Sequence, residues 1–295
     1  MLILHDPRCA DYGSSLRPEQ PARVVRSEKH LRAAHPDWTW RAPDATRATD
    51  EALLLAHTPA HLKRLAQPRD FDADTPFFPD IGAHARRAVA AALEAARHAV
   101  EKKTPVFSLM RPPGHHATAT QAMGFCYLNQ IALAALFAQR YLGAARVAVW
   151  DFDAHHGNGT EAILHGREGV CFASVHQHPG YPGTGTQDLG PHTRNWPVAP
   201  RTPRPQHMAA LRASLDAVIA FRPDLILVSA GFDAYARDPI TSMTLEAEDF
   251  ADLGQWLAEV RARHGLPAAA LLEGGYHDDL PLLIDAFLTA WNMPA

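Results

Sequence analysis

One histidine and two aspartates in this sequence have the types and spacing of ligands for a catalytic metal ion. Asp153 and His155 lie two positions apart at the end of a predicted strand, so both side chains point to the same side. Asp233 follows another predicted strand and completes an Asp/His/Asp set. Three protein ligands leave one coordination position open, as in catalytic zinc sites, and the mixed donors also suit Fe²⁺ or Co²⁺. The alternative is that the aspartates cap helices and His155 only packs.

Two adjacent histidines could move protons beside such an ion. His115 and His116 follow a Pro-Pro-Gly turn, and Asp151 and Asn158 are available to orient the two imidazoles. Tyr276 stands in a Gly-Gly-Tyr turn, where its phenol could donate a hydrogen bond to an oxyanion. Each of these residues alone is more often structural, so the prediction of a hydrolytic site depends on the whole set.

Short apolar runs alternate with longer Ala- and Leu-rich segments along almost the whole chain. The runs predict strands over 2–4, 106–109, 147–152, 170–175, 225–230 and 268–272. The longer segments predict helices over 81–101, 122–141, 158–165, 206–221, 245–264 and 279–290. This alternation predicts an α/β fold with an open, mostly parallel sheet and helices on both faces. No Gly/Ser-rich linker divides the chain and the proline-rich stretch 197–205 is predicted as a surface loop, so residues 1–295 are predicted to form one domain.

Unusual polar motifs follow five of the predicted strands at their carboxyl ends. They begin at Arg111, Asp151, Ser174, Gly231 and Glu273. Open parallel sheets bind ligands beyond the carboxyl ends of their strands. The candidate metal ligands, the paired histidines and Tyr276 are therefore predicted to converge on one edge of the sheet.

The composition argues against several other classes of protein. The 295 residues carry 28 basic and 32 acidic side chains, a net charge of −4, so no basic excess indicates nucleic-acid binding. The longest apolar run, 131–138, is far shorter than the ~20 residues of a membrane-spanning helix, and the N-terminus does not resemble a signal peptide. Three scattered cysteines make no disulfide framework. We predict a cytoplasmic protein without a nucleic-acid or membrane partner, and the sequence leaves its oligomeric state open.

Five blocks of the sequence resemble the signature motifs of histone deacetylases and their bacterial amidohydrolase relatives. They are Arg111-Pro-Pro-Gly-His-His116, Gly124-Phe-Cys-Tyr-Leu-Asn129, Asp151-Phe-Asp-Ala-His-His-Gly-Asn-Gly159, Ser229-Ala-Gly-Phe-Asp-Ala234 and Glu273-Gly-Gly-Tyr276. A weaker block, Arg17-Pro-Glu-Gln-Pro-Ala-Arg23, has Arg17 where the motif of the family has histidine. The blocks occur in the order of the family between about residue 5 and about residue 280.

The resemblance implies an arginase/deacetylase fold and a zinc ion held by Asp153, His155 and Asp233, with water in the fourth position. It also implies that His115 and His116 handle protons and that Tyr276 polarises the substrate carbonyl. Asn158 replaces the aspartate that some members place behind the second histidine, which resembles the class II branch.

The resemblance also implies residues that bind substrate and a second cation. The substrate-binding positions are Gly124, Phe125, Tyr181, Ile240 and, at the rim, Asp74. Arg23 matches a family residue near the exit for acetate. A structural K⁺ is implied at Asp151, Ser174 and the backbone carbonyls of Asp153, His155 and Val175.

Two departures from related proteins narrow the predicted activity. Binuclear manganese ureohydrolases need two further carboxylates, where this sequence has Gly157 and Tyr235, so a mononuclear hydrolase is predicted. Ile240 stands where the polyamine-selective branch carries an acidic residue that recognises a cation. We therefore predict a zinc-dependent enzyme that removes acetyl or other acyl groups from an amine. An acylated lysine is the preferred substrate, and a small acylated amine is the other. The alternatives are an acetylpolyamine amidohydrolase and a catalytically silent module that binds acyl groups.

Overall fold

A single sheet contains all eight strands of the computed structural model, which describes residues 1–293. The strands are β1 (Leu2–Leu4), β2 (Thr39–Arg41), β3 (Val106–Ser108), β4 (Val147–Asp151), β5 (Val170–Gln177), β6 (Thr193–Val198), β7 (Leu225–Ala230) and β8 (Ala268–Leu272). Their order across the sheet is β2-β1-β3-β8-β7-β4-β5-β6, and each neighbouring pair is parallel. The predicted parallel sheet is confirmed. Residues 294 and 295 of the predicted domain lie outside the described residues.

The helices pack against the sheet in two groups. They are α1 (Ala22–Ala34), α2 (Asp50–Leu53), α3 (Pro59–Arg64), α4 (Ile81–Lys102), α5 (Gln130–Tyr141), α6 (Asn158–Leu164), α7 (Arg204–Ala220), α8 (Ala247–His264) and α9 (Leu280–Asn292). One group is built around the contact of α4 with α5, and the other around the contacts of α9 with α8 and α1. Strands β4 and β7 are buried along their whole length, as expected for strands covered on both faces. No helix within residues 1–293 is long and apolar enough to cross a membrane.

Aromatic side chains fix α7 and α9 to the central strands. The indole of Trp150 on β4 donates to Ser214 on α7 at 2.8 Å. The next residue but one, Phe152, packs edge-on against Phe287 of α9, with the ring centroids 5.5 Å apart. Phe232, which follows β7, also packs against Phe287. These contacts hold the carboxyl ends of β4 and β7, where the candidate metal ligands begin, against a rigid core.

The structure corrects two predictions about individual elements and adds elements that were not predicted. The helix predicted over 122–141 begins only at Gln130, because the side chain of Asn129 caps it and residues 122–129 form a loop closed by a bridge between Met123 and Cys126. The stretch 197–205 is not entirely a loop. Its first two residues end β6, an edge strand that tolerates a proline, and its last two residues begin α7. Helix α1 and strand β2, both polar in sequence, were not predicted.

Candidate active site

A cavity of about 260 Å³ opens at the carboxyl edge of the sheet. Its walls include all five predicted substrate-binding residues and three of the predicted chemical groups. The lining residues are Arg17, Pro18, Asp74, His116, Gly124, Phe125, His155, Tyr181, Ile240 and Tyr276. The prediction that these motifs converge on one edge is therefore consistent with the position of the cavity.

Asp153, His155 and Asp233 lie together beside this cavity, with one ligand atom from each within 4.8 Å of the others. Nδ1 of His155 is 2.8 Å from Oδ2 of Asp233 and 3.2 Å from Oδ1 of Asp153. Both carboxylates are fully buried. Backbone amides hold them in place, since the N–H of Gly274 donates to Asp153 and the N–H of Ala154 donates to Asp233.

The environment of the three side chains fits a divalent cation. Burial alone would lower the pKa of His155, but the charges of Asp233 and Asp153 raise it well above its ordinary value. The two carboxylates therefore favour positive charge at this point. Two glycines leave room for these carboxylates. A Cβ at Gly231 would overlap Asp153, and a Cβ at Gly274 would overlap Asp233. A set of one imidazole and two carboxylates suits zinc and also Fe²⁺ or Co²⁺.

The space for a second metal ion is closed on the side where binuclear relatives need another carboxylate. A Cβ at Gly157 would overlap Oδ2 of Asp151, so no acidic side chain fits there without moving that carboxylate. The other position, Tyr235, is buried and its hydroxyl donates to Asp279 at 2.8 Å. Both observations favour a single catalytic cation.

The two adjacent histidines differ in their partners and therefore in their charge. Nδ1 of His115 faces Oδ2 of Asp151 at 3.1 Å, whereas Nδ1 of His116 faces the amide oxygen of Asn158 at 2.8 Å. Burial would lower the pKa of His115, but the charges of Asp153 and Asp151 raise it to about 10. Burial, together with the charge of His115, lowers the pKa of His116 well below its ordinary value. His115 thus favours the imidazolium form and His116 the neutral form.

Three further side chains position the site and were not predicted from the sequence. The carboxylate of Asp238 accepts from the N–H of Tyr276 at 2.8 Å and from the N–H of Ile240 at 3.0 Å. Burial, reinforced by the charge of Asp233, raises the pKa of Asp238 to about 7. No local sequence pattern around Asp238 indicates that its side chain contacts the backbone of Tyr276.

The carboxylate of Glu273 accepts from the N–H groups of Gly114 and His115, at 2.7 and 3.2 Å.

Thr75 is the third of these residues, and it holds one wall of the cavity. Phe125 has a φ of 68°, a left-handed conformation that costs free energy in a bulky residue. Its N–H donates to the hydroxyl of buried Thr75 at 3.1 Å, and Thr75 itself is held by Asp72. Phe125 packs edge-on against Tyr276, with the ring centroids 5.8 Å apart. The strained backbone therefore places an aromatic ring next to the candidate oxyanion donor.

The residues predicted to bind K⁺ lie on neighbouring strands. Asp151 of β4 is in register with Ser174 of β5. Oδ1 of Asp151 accepts from the N–H of Asp153 at 3.2 Å, and the Ser174 hydroxyl is 2.9 Å from Nδ1 of His176. Val175 follows Ser174 on the same buried strand. The potassium site stays a prediction.

Residues 17–289 match the model of the histone deacetylase domain. The chain belongs to the histone deacetylase family. A probable deacetylase of Methanothermobacter thermautotrophicus is 34% identical over 290 residues, which cover 94% of this chain and 86% of that protein. The family and the class of enzyme, a hydrolase of amide bonds, are thereby confirmed.

Solved structures of the deacetylase family share the fold. The HD domain of HDA15 superposes with a TM-score of 0.88 at 28% identity, covering 99% of this chain and 90% of that one. An acetylpolyamine aminohydrolase of Burkholderia pseudomallei superposes with a TM-score of 0.85 at 26% identity, covering 100% of this chain and 99% of that one. The predicted arginase/deacetylase fold is confirmed.

Proposed function

We propose that this member of the deacetylase family is a zinc-dependent deacylase that removes an acetyl or longer acyl group from the side chain of lysine. The observation that carries the proposal is the Asp153/His155/Asp233 set beside a cavity that also contains His116 and Tyr276. A zinc ion at the three ligands would polarise the amide carbonyl and activate water for attack.

The two histidines divide the proton chemistry between them in this proposal. His116 lines the cavity and favours the neutral form, so it can accept a proton from the attacking water. It can then deliver that proton to the nitrogen of the leaving amine. His115 lies behind it, with the ring centroids 4.0 Å apart, and its pairing with Asp151 favours a positive charge that stabilises the developing negative charge.

Tyr276, which lines the cavity together with His155, is proposed to donate a hydrogen bond from its hydroxyl to the oxyanion. Asp238 and the ring of Phe125 hold it at the cavity wall. Beneath its ring, the guanidinium of Arg23 lies 4.7 Å from the centroid and donates to the carbonyls of Gly275 and Glu273. Burial raises the pKa of Tyr276 well above its ordinary value, so the phenol keeps its proton at neutral pH.

A second candidate function is the hydrolysis of acetylated polyamines, because a solved structural relative carries that name. Ile240 lines the cavity and bears no charge, so it offers nothing to a distal ammonium group. A matched ion pair at such a position can contribute several kcal/mol to binding. The lack of that pair supports acyl-lysine as the preferred substrate.

Three further predictions belong to the same proposal. We propose that residues 1–295 act as one domain and that K⁺ binds at Asp151, Ser174 and the backbone carbonyls of Asp153, His155 and Val175. Cys9, Cys126 and Cys171 are free and buried, which suits a reducing compartment and supports a cytoplasmic location.

A panel of substrates tests the proposed function. The zinc-loaded protein is assayed on an acetyl-lysine peptide, a longer acyl-lysine peptide, acetylputrescine and acetylspermidine. We expect kcat/KM on an acyl-lysine substrate to exceed that on the polyamines by about tenfold or more. Equal or higher values on the polyamines would favour the second candidate, and no turnover on any substrate would favour a silent binding module.

Metal analysis tests the candidate centre independently of the substrate. Purified protein should contain about one equivalent of divalent metal, because one set of three ligands converges among residues 1–293. Asp233→Ala removes an anionic ligand and should abolish both metal binding and turnover. Two equivalents of manganese with release of urea from a guanidino substrate would contradict the proposal.

A further inference from the structure

Two opposite charges lie at the cavity, and neither has a charged partner in the part of the chain that the structure describes. Arg17 and Asp74 both line it. Nη1 of Arg17 donates to the carbonyl of Ala73 at 3.2 Å, which places the guanidinium beside residue 74. Within residues 1–293, no carboxylate lies within 4.0 Å of the Arg17 guanidinium and no cationic nitrogen lies that close to the Asp74 carboxylate.

This arrangement differs from that of other arginines in the chain. Arg26, which is exposed, and Arg86, which is half-buried like Arg17, form ion pairs with Asp278 and Asp50. Arg17 is only half-exposed, and its one hydrogen bond to protein leaves most of its guanidinium donors free. Such donors match a carboxylate in a bidentate geometry. Asp74, one residue beyond Ala73, can accept from an ammonium group of the same ligand.

The chemistry of the proposed substrate indicates which ligand carries both groups. In an acyl-lysine whose amide lies between His155 and Tyr276, the Cα end of the residue is the part farthest from the reacting bond. A lysine within a peptide has neutral amides there. A free amino acid has an α-carboxylate and an α-ammonium on the same carbon, which is the pair of charges that Arg17 and Asp74 complement.

We propose that Arg17 and Asp74 bind the α-carboxylate and the α-ammonium of free Nε-acyl-lysine, so that the enzyme acts on a small amino acid rather than on lysine within a protein. This inference rests on the proposed function and names its substrate class. It also gives a role to the positive side chain that stands where the N-terminal motif has histidine, because Arg17 attracts the anionic group of the substrate.

Four substrates that differ only at the α-carbon test the proposal. They are Nε-acetyl-lysine, its α-amide, its Nα-acetyl derivative and the derivative blocked at both groups. We expect kcat/KM to be highest on the free amino acid and to fall about tenfold for each block, as for the loss of a charge-assisted hydrogen bond. The change should appear mainly in KM, because neither group contacts the reacting atoms.

Variants assign each preference to one residue. Arg17→Gln should abolish the advantage of a free carboxylate and keep that of the ammonium, whereas Asp74→Asn should do the reverse. Arg17→Lys, which keeps the charge without the planar fork, should retain part of the carboxylate preference. Arg140→Gln removes an exposed positive charge far from the cavity and serves as the matched control with wild-type selectivity.

The outcomes separate this inference from the proposed function. If the wild-type enzyme hydrolyses the doubly blocked substrate as well as the free amino acid, the inference is wrong and the deacylase proposal stands. An equal loss on all four substrates in Arg17→Gln, at unchanged Tm, would show a structural role and would also overturn it. If the zinc-loaded enzyme hydrolyses none of the four substrates or the peptides, both proposals fail.

Discussion

Tyr276 is held on three sides, and this makes its hydroxyl the most direct target at the scale of single residues. Tyr276→Phe keeps the ring that packs on Phe125 and Arg23 but removes the donor. Loss of a preorganised oxyanion donor costs about 10²–10³ in kcat. We expect this fall with normal metal content, and with a larger change in kcat than in KM.

The control for this variant is a test that the protein is still folded and still binds its metal. Thermal unfolding and metal analysis of the same preparation should match the wild-type protein. A drop in Tm with a change of less than about threefold in kcat would show that Tyr276 only packs, since an oxyanion donor contributes far more than that.

Asp238 carries a second prediction about a single residue. Asn at this position keeps one carbonyl oxygen but turns its amide towards one of the two N–H groups that the carboxylate accepts from Tyr276 and Ile240. We expect kcat to fall by about tenfold or more, because a small displacement of a catalytic group is costly. The metal content should not change.

The pH profile separates this positioning role from a general loss of stability. The pKa of Asp238 is about 7, so the wild-type carboxylate is protonated below that value and is a poorer acceptor. Activity should therefore have a limb that falls below pH 7, and Asp238→Asn should lack it. An unchanged limb in the variant would assign that titration to another group.

At the scale of elements, the loop 179–187 depends on two buried histidines behind it. His156 shares a hydrogen bond with Thr184 at 2.7 Å, and Nε2 of His176 donates to the carbonyl of Gly185 at 3.0 Å. The loop carries Tyr181, whose ring packs edge-on against His116 with the centroids 5.1 Å apart. The position of Tyr181 in the cavity wall therefore follows from contacts made three and four residues further along.

Removing one of these contacts should loosen the loop without touching the cavity. Thr184→Val replaces the hydroxyl by a methyl group of similar size, and we expect a rise of a few-fold in KM with a smaller change in kcat. Limited proteolysis should cut the loop faster. Thr46→Val, which loses a surface hydrogen bond to Asp44, is the matched control. Equal KM values for both variants would exclude a role for this anchor.

The elements that the sequence predicted correctly are those with a strong local pattern. Strands β4 and β7 are apolar runs, and α8 ends at His264, the predicted last residue, with Gly265 following at a φ of 63°. The same helix begins at Ala247 and not at residue 245 as predicted, because Glu246 forms a capping box with Asp249. Residues 122–129 are apolar enough for a helix, yet their contacts with distant segments make them a loop.

Candidate site residues were predictable where spacing along one strand end sets their geometry. Asp153 and His155 share one strand end, and Asp233 follows a neighbouring strand, so parallel pairing brings them together. Asp238 and Thr75 act through tertiary contacts to backbone groups about 40 and 50 residues away, which no local pattern encodes.

At the scale of the whole molecule, a buried charge cluster joins the N-terminal segment to the sheet. Glu19 receives two hydrogen bonds from Arg111, at 2.5 and 2.6 Å, and lies 3.3 Å from Arg23. Arg111 follows β3, and Arg23 bonds to the backbone after β8. Burial would raise the pKa of Glu19, but the two guanidinium groups lower it below its ordinary value.

Glu19→Gln leaves two buried guanidinium groups without their counter-charge. The expected loss in the free energy of unfolding is about 3–5 kcal/mol at pH 7. Because the pKa of Glu19 is lower in the folded state, its stabilisation is complete above pH 4.5 and is lost as the pH falls through the folded value. The difference in the free energy of unfolding between Glu19→Gln and the wild type, measured by denaturant titration, should therefore become smaller as the pH falls below 4.5.

An exposed pair provides the comparison. Glu259→Gln breaks an ion pair with Arg263 along one face of α8, with the charged atoms 3.6 Å apart. Such pairs contribute about 0.5 kcal/mol or less. A loss of similar size in both variants would mean that the buried cluster contributes no more than a surface pair.

The three buried cysteines have a consequence for how the motions of this protein can be followed. Burial raises the pKa of Cys9 and Cys171 to about 12, and that of Cys126 well above its ordinary value. Thiol reagents attack the thiolate, so at pH 8 the native protein should react only when a region opens. Cys9 lies in the N-terminal segment, Cys126 in the loop 122–129 and Cys171 in β5. Labelling followed by peptide mass analysis would thus time the opening of three parts of the chain without any introduced probe.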